Sequence, residues 1–227
     1  MRFYVVAFVV ILVCSSFIFS QDTIRAQGLE EIDSLNKQIN ALENEFLFPD
    51  FKDLEKAQEN ELSVFRILPR EKYDGRLRVQ GGGAFYSFST KSHDYQKVAQ
   101  ICLEQNKLWT GFAGANYGFM TDLGEIPLLE LNKESKGINF LFNYQPPIQL
   151  AKARIEQAKA RNFEENGIIY ENHLPIVVGH SYALRSISFD QADVLVIFNI
   201  ERKEADGSLV VFWKFIETFA TPILERN

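Results

Sequence analysis

Residues 193–219, DVLVIFNIERKEADGSLVVFWKFIETF, decide the fold class. Two runs rich in Val, Ile, Leu, Phe and Trp flank Ala205-Asp206-Gly207-Ser208, and Asp-Gly supplies the positive φ values that a tight hairpin turn requires. With Asp206 and Gly207 as the two turn residues, Ile200 faces Trp213 and Phe198 faces Phe215, on the same side as Val194, Val196 and Val211. That side is core, and the other mixes Asn199, Glu201, Lys203 and Lys214 with apolar residues.

The same period of two continues outward. GIIYEN (167–172), LPIVV (174–178) and SYALRSISF (181–189) precede the hairpin, and LSVFRIL (62–68), GRLRVQ (75–80), AFYSFST (84–90), VAQICLEQ (98–105), KLWTGFA (107–113), YGFMTDL (117–123), IPLLEL (126–131) and INFLFNY (138–144) also read as short strands. Turn signals such as Asp74-Gly75, the glycines 81–83, Gln105-Asn106 and Lys136-Gly137 separate them. Gln145-Pro146-Pro147 breaks the pattern, and IQLAKARIEQAKARNFEEN (148–166) predicts one interposed helix with Ile148, Ala151, Ile155 and Ala158 along its stripe. Its basic run, Lys152, Arg154, Lys159 and Arg161, could face an anionic membrane, but the two glutamates that close it and the acidic chain favour a solvated outer face. The expected body, residues 60–224, is a single mainly β or α+β domain with an antiparallel, sandwich-like sheet.

Ahead of the body, GLEEIDSLNKQINALENEFLF (28–48) sets Ile32, Leu35, Ile39, Leu42 and Phe46 at alternating spacings of three and four. This is a heptad seam of about two heptads, short of the three to four that define a coiled coil unaided. Two readings follow: an amphipathic helix lying on the body, and a short stalk through which the chain self-associates. Pro49-Asp50 stops the helix, and residues 49–60 allow a further helical turn or two.

The chain opens MRFYVVAFVVILVCSSFIFSQ, one positive charge followed by an apolar run from Phe3 to Phe19. That is an export signal, longer than the roughly 7–15 apolar residues of a cleaved signal and just short of the ~20 of a membrane span. Residues 1–20 are read as a signal peptide, with an uncleaved membrane anchor as the alternative, so a membrane is a partner only if residues 3–19 stay attached. Val13, where a small residue is wanted, argues against lipidation of Cys14. Cys102 is then the sole remaining cysteine, which leaves the exported domain without an intrachain disulfide. Cys102 could pair between chains or be a reactive thiol, but its neighbours Ile101 and Leu103 favour a buried strand residue. No Asn-x-Ser/Thr triplet occurs, which favours a bacterial envelope, periplasmic or secreted protein.

Composition excludes several classes. With 46% hydrophobic and 24% charged residues the chain is not disordered. Its 24 basic and 30 acidic residues give a net charge of −6, the opposite of what coating nucleic acid requires, so no nucleic-acid partner is expected.

Three stretches invite chemistry. Val177-Val178-Gly179-His180-Ser181-Tyr182-Ala183 resembles the nucleophile elbow of α/β-hydrolases, but that family needs a histidine after the serine, and His93, His173 and His180 all precede Ser181. The glycines 81–83 suit an anion-cradling nest or a bulge or hairpin corner, and the strand AFYSF that follows favours the corner. His173 with His180, and Asp190 with Asp193, lack a third ligand at motif distance, so neither metal nor cofactor is expected. A softer signal is WTGFAGANYGF (109–119). Together with Phe85-Tyr86 it interleaves aromatics with glycines, and Tyr86, Trp109, Phe112 and Tyr117 are the candidate binding residues on which a sugar ring or peptide packs. Cross-strand core packing is the competing account.

GGGAFYSF (81–88), GFAGANYGFMTDLGEIPL (111–128) and residues 181–214 resemble segments of uncharacterised exported bacterial proteins. The resemblance implies a strand-and-turn framework and an exported bacterial protein, and carries no catalytic residue across. The expected function is a non-catalytic extracytoplasmic binding or structural module. The alternatives are a serine hydrolase using Ser181 and an envelope assembly protein that oligomerises through residues 28–48.

Overall fold

The computed structural model describes residues 2–93 and 98–226, the first of these, 2–22, by backbone alone. With 30% helix and 34% strand in antiparallel sheets, the chain is α+β. It divides into two units, residues 1–46 and 47–227.

Helix α1 (Arg2–Leu47) runs without interruption and contains the heptad stretch. Pro49 follows its end, where the missing N–H and the clash with the preceding residue stop further helix. Ile32, Leu35, Ile39, Leu42 and Phe46 are all exposed, from 37% at Ile39 to 57% at Leu42. Among the described residues no helix is long and apolar enough to cross a membrane. The side chains of 3–19, and with them the signal or anchor reading, lie outside the described residues.

The second unit starts with α2 (Phe51–Glu59), β1 (Ser63–Ile67) and α3 (Arg70–Tyr73), then β2 (Phe85–Tyr86), β3 (Ile101–Glu104), β4 (Lys107–Trp109) and β5 (Tyr117–Gly124). It continues through α4 (Ile138–Asn143), α5 (Leu150–Lys159), β6 (Phe163–Glu165), β7 (Ile168–Tyr170) and β8 (His173–Pro175), and ends in β9 (Ser181–Ser188), β10 (Ala192–Lys203) and β11 (Leu209–Phe219). A five-stranded sheet has the order β1-β11-β10-β9-β5, and a four-stranded sheet the order β2-β3-β4-β8. Every strand pair in them is antiparallel.

Both faces of the larger sheet are buried, because alternate residues along β9, β10 and β11 are apolar in both parities. Tyr182, Leu184, Val196, Phe198, Val211 and Trp213 point into a core shared with Tyr86, Ile101, Leu103, Leu108 and Leu174 of the smaller sheet. Ala183, Ile187, Leu195, Ile197, Val210 and Phe212 point into a second core, closed by Ile138 and Leu141 of α4, Ala153 of α5 and the hairpin residues Phe163 and Tyr170. The result is three layers: small sheet, large sheet, helices.

Several expectations are corrected. Lys203 pairs with Leu209, so the turn spans five residues, and a bulge follows between Ile200 and Arg202. Trp213 therefore faces Phe198, not Ile200, and Phe215 faces Val196. Asp206 causes the wider turn: its carboxylate accepts from the Ser208 N–H at 2.9 Å and is held by Arg66 at 2.8 Å and by Tyr73 at 2.9 Å. Residues 75–79 are turn and bend and Gln80 opens a 3₁₀ turn, so 75–80 is not a strand. Residues 128–130 form a 3₁₀ turn after Pro127, and 138–143 are the helix α4, whose buried Ile138 and Leu141 are three apart. Helix α5 buries Ala153, while Ile155 is 66% exposed, so the expected stripe is not the packed one. The small Ala153 lets the helix approach closely, and Gln157 fixes it by donating to the Asn116 carbonyl at 2.8 Å. The helix also ends sooner than 148–166 implied: Asn166 and Gly167 both have positive φ and make the two-residue turn joining β6 to β7.

Candidate functional site

Four strands carry one cross-strand row over the outer face of the smaller sheet: Phe85 lies opposite Cys102, Cys102 opposite Trp109, and Trp109 opposite His173. Side chains alternate across a strand, so their neighbours Tyr86, Ile101, Leu103, Leu108 and Leu174 take the inner face and the core. This parity separates Trp109 from Tyr86, while Phe112 lies in the loop after β4 and Tyr117 on β5 of the larger sheet. Tyr86 is buried, its ring stacked on Phe65 at 3.8 Å between centroids and 3° between planes. Tyr117 is buried in the other core, where its hydroxyl is 2.9 Å from that of Tyr144, which donates to Glu156 at 2.8 Å. Burial pushes both phenols well above their usual range. Tyr86 and Tyr117 are thus packing residues. Trp109 and Phe112 are the pair that reaches the surface row.

Trp109 and Phe112 line a cleft of about 340 Å³ with Arg70, Asp74, Gln80, Gly81, Phe85, Cys102 and Glu104. The Trp109 ring stacks on His173 at 4.4 Å and 14°, and its Nε1 donates to the Glu104 carbonyl at 3.2 Å. Phe112 meets Phe85 edge to face at 5.5 Å and 90°. Arg70, on α3, hangs over the Phe85 ring at 5.5 Å and is held between Asp74 at 3.3 Å and Glu104 at 3.1 Å. Burial works against its charge, but the two carboxylates outweigh that and raise its pKa. The Cys102 thiol forms part of the wall, and desolvation pushes its pKa up to about 12, so it presents a neutral SH.

The glycine triplet belongs to the same architecture. Gly81, Gly82 and Gly83 all have positive φ and form a tight turn, not a bulge. A Cβ on Gly81 would overlap the Phe85 ring, and one on Gly82 the Tyr73 carbonyl. The glycines let α3 and the cleft aromatics close on the backbone, which accounts for them without a bound anion.

A second depression of about 250 Å³ lies on the other side of Phe112, lined by Gly111, Asn116, Ser186, Ser188 and Gln191 among others. Phe112 therefore borders both.

The other motifs resolve into framework. Ser181 is the first residue of β9, fully buried, with no helix after it. Its hydroxyl donates to the Ile126 carbonyl at 2.6 Å and accepts from Asn199 at 3.2 Å, while His180 contacts Asp122 at 2.9 Å. Asp193 is paired with Arg185, and Asp190 accepts from the Leu224 N–H at 3.0 Å. Among the described residues no group of three or more His, Cys, Asp or Glu could hold a metal ion. Arg70, Asp74, Gln80 and Glu104 are the cleft residues that sequence reasoning missed. Glu104 alone had a local signal, since it shares strand parity with Cys102 and pairs with Lys107 beside Trp109.

No family model, curated protein or solved structure matches the chain.

Proposed function

We propose that this chain is a non-catalytic extracytoplasmic binding module whose ligand site is the cleft on the outer face of the smaller sheet. The observation that carries the reading is the combination there of the partly exposed aromatics Trp109 and Phe112 with planar polar groups at the rim. Trp109, Phe112 and Phe85 offer apolar surface, and Arg70, Asp74, Glu104 and Gln80 offer donors and acceptors around it. A sugar ring needs both, an apolar face to stack and hydroxyls to donate and accept at its rim. A saccharide is therefore favoured over a peptide. The export signal read in residues 1–20 supplies the location.

The test is calorimetric titration of the purified chain with soluble oligosaccharides and with short peptides. Binding weakened about tenfold by Trp109→Ala, in a variant whose melting temperature falls but which stays fully folded at the titration temperature, supports the reading. Absence of binding to either panel overturns it. So does turnover of esters, glycosides or peptides that Ser181→Ala abolishes. Cell fractionation with N-terminal sequencing tests the location, and a cytosolic chain beginning at Met1 would oppose it.

A further inference from the structure

We propose that residues 28–47 join two copies of this chain as a parallel, two-stranded coiled coil. The inference stands apart from the cleft. Among the described residues nineteen large apolar side chains are exposed, and ten of them lie between Ile24 and Leu54, so the apolar surface left uncovered is concentrated in one short stretch. Within it, Ile32, Leu35, Ile39, Leu42 and Phe46 recur at alternating steps of three and four on the unbroken helix α1, and each is at least 37% exposed. They make one stripe about 21 Å long.

The identity of the residues selects the occupant. Numbering the stripe as a heptad places Ile32, Ile39 and Phe46 at a and Leu35 and Leu42 at d. β-Branched residues at a with leucine at d favour two parallel strands over trimers or tetramers. The flanking residues agree. In a parallel pair, g of one helix meets e of the next heptad on the other, which sets Glu31 beside Asn36 and Gln38 beside Glu43, each a carboxylate against an amide. An antiparallel pair with Ile32 layered on Leu42 would instead set Glu31 against Glu45 twice, two like-charge contacts. The second copy, in parallel, is the partner whose charges the stripe does not repel.

The full chain, kept in a detergent matched in density to the buffer, is weighed by sedimentation equilibrium. A protein mass twice that of the chain is expected, falling to one for Leu35→Asp/Leu42→Asp while the thermal transition of the body stays in place. Orientation is read in a Cys14→Ser background by mild oxidation. Leu42→Cys should give a disulfide-linked dimer, because parallel strands in register bring the two positions together. Replacing Ile32 and Ile39 by Leu, and Leu35 and Leu42 by Ile, should raise the mass above two chains. A monomeric parent chain, a doubly substituted chain that stays dimeric, or cross-linking found only when Leu35→Cys and Ile39→Cys chains are mixed would each overturn the proposal.

Discussion

Arg185 and Asp193 form a doubly hydrogen-bonded ion pair in the interior, Nε to Oδ1 at 2.6 Å and Nη2 to Oδ2 at 2.8 Å, with both side chains 1% exposed. The third nitrogen, Nη1, donates to the Leu141 carbonyl at 2.7 Å, and the Phe219 ring lies against the guanidinium at 3.3 Å. One cation thus links β9, β10, β11 and the end of α4. Each ion loses several kcal/mol of hydration on burial, and fully matched hydrogen bonds offset that loss. Removing one partner leaves an uncompensated charge in the core. Asp193→Ala should therefore lower stability by about 3–5 kcal/mol in urea denaturation, and Arg185→Met/Asp193→Leu by less than the single change. Equal or additive losses would show that the pair acts only through packing.

The pH dependence of stability should be set first by His93. Its Nδ1 is 2.8 Å from the Phe85 carbonyl oxygen, and its ring meets Tyr86 edge-on at 5.3 Å. Desolvation lowers its pKa to about 4, which hydrogen bonds to backbone carbonyls only partly oppose. The unfolded chain takes up this proton near pH 6.5 and the folded one near pH 4, so stability is flat above about 6.5 and falls as pH drops through that window, by at most ~3 kcal/mol. Asp53 acts lower down: hydrogen bonding to Arg202 holds its pKa below the ordinary carboxylate value, so its contribution is present above about pH 3.8 and lost on further acidification. Urea midpoints between pH 7.5 and 4.5 should move for the parent chain and much less for His93→Gln. Identical slopes would remove His93 from the account.

The larger sheet was legible because its central strands are long, continuously apolar and separated by strong turn signals, which no helix of that length would show. Short apolar runs were not. INFLFNY has apolar residues at 138, 140 and 142, as a strand would, and also at 138 and 141, as a helix would; six residues cannot decide between the two periods. The hairpin register moved because Asp206 and Ser208 bond to each other and widen the turn, a side-chain preference that the Asp-Gly pair alone does not reveal. In the cleft, the sequence marked the right stretch but not the right parity. Whether Phe85 or Tyr86 faces outward depends on where the second sheet packs, which is tertiary information. Arg70 reaches Glu104 across 34 positions in the chain, and no local pattern announces that contact.

The glycine turn provides a sharp comparison. Gly82 (φ +62°) and Gly179 (φ +87°) both sit in the left-handed region, but only Gly82 abuts backbone, the Tyr73 carbonyl and Asp74 nitrogen, while Gly179 faces open space. Alanine at Gly179 should cost the conformational penalty alone, about 1–2 kcal/mol. Alanine at Gly82 adds a steric overlap with backbone that cannot rotate away, for a total of about 3 kcal/mol or more. Thermal denaturation of the two variants distinguishes these terms. A Gly82→Ala chain as stable as Gly179→Ala would mean that the turn relaxes freely and does not clamp α3 against the cleft.

Cys102 tests the cleft wall without any ligand. Its thiol is 1% exposed in the middle of β3, and desolvation first, then the nearby Glu104, pushes its pKa up to about 12. At pH 8 roughly one molecule in ten thousand carries the reactive thiolate, and the sulfur is covered as well. In a Cys14→Ser chain, modification by an aromatic disulfide reagent should therefore be slow and should rise with urea in step with the unfolding transition. Phe112→Ala removes the edge that meets Phe85 above the same wall. It should speed labelling in the absence of urea while the thermal transition shifts only slightly. Rapid labelling of the parent chain would mean that β3 is open on its outer face, and the aromatic row that defines the cleft would lose its support.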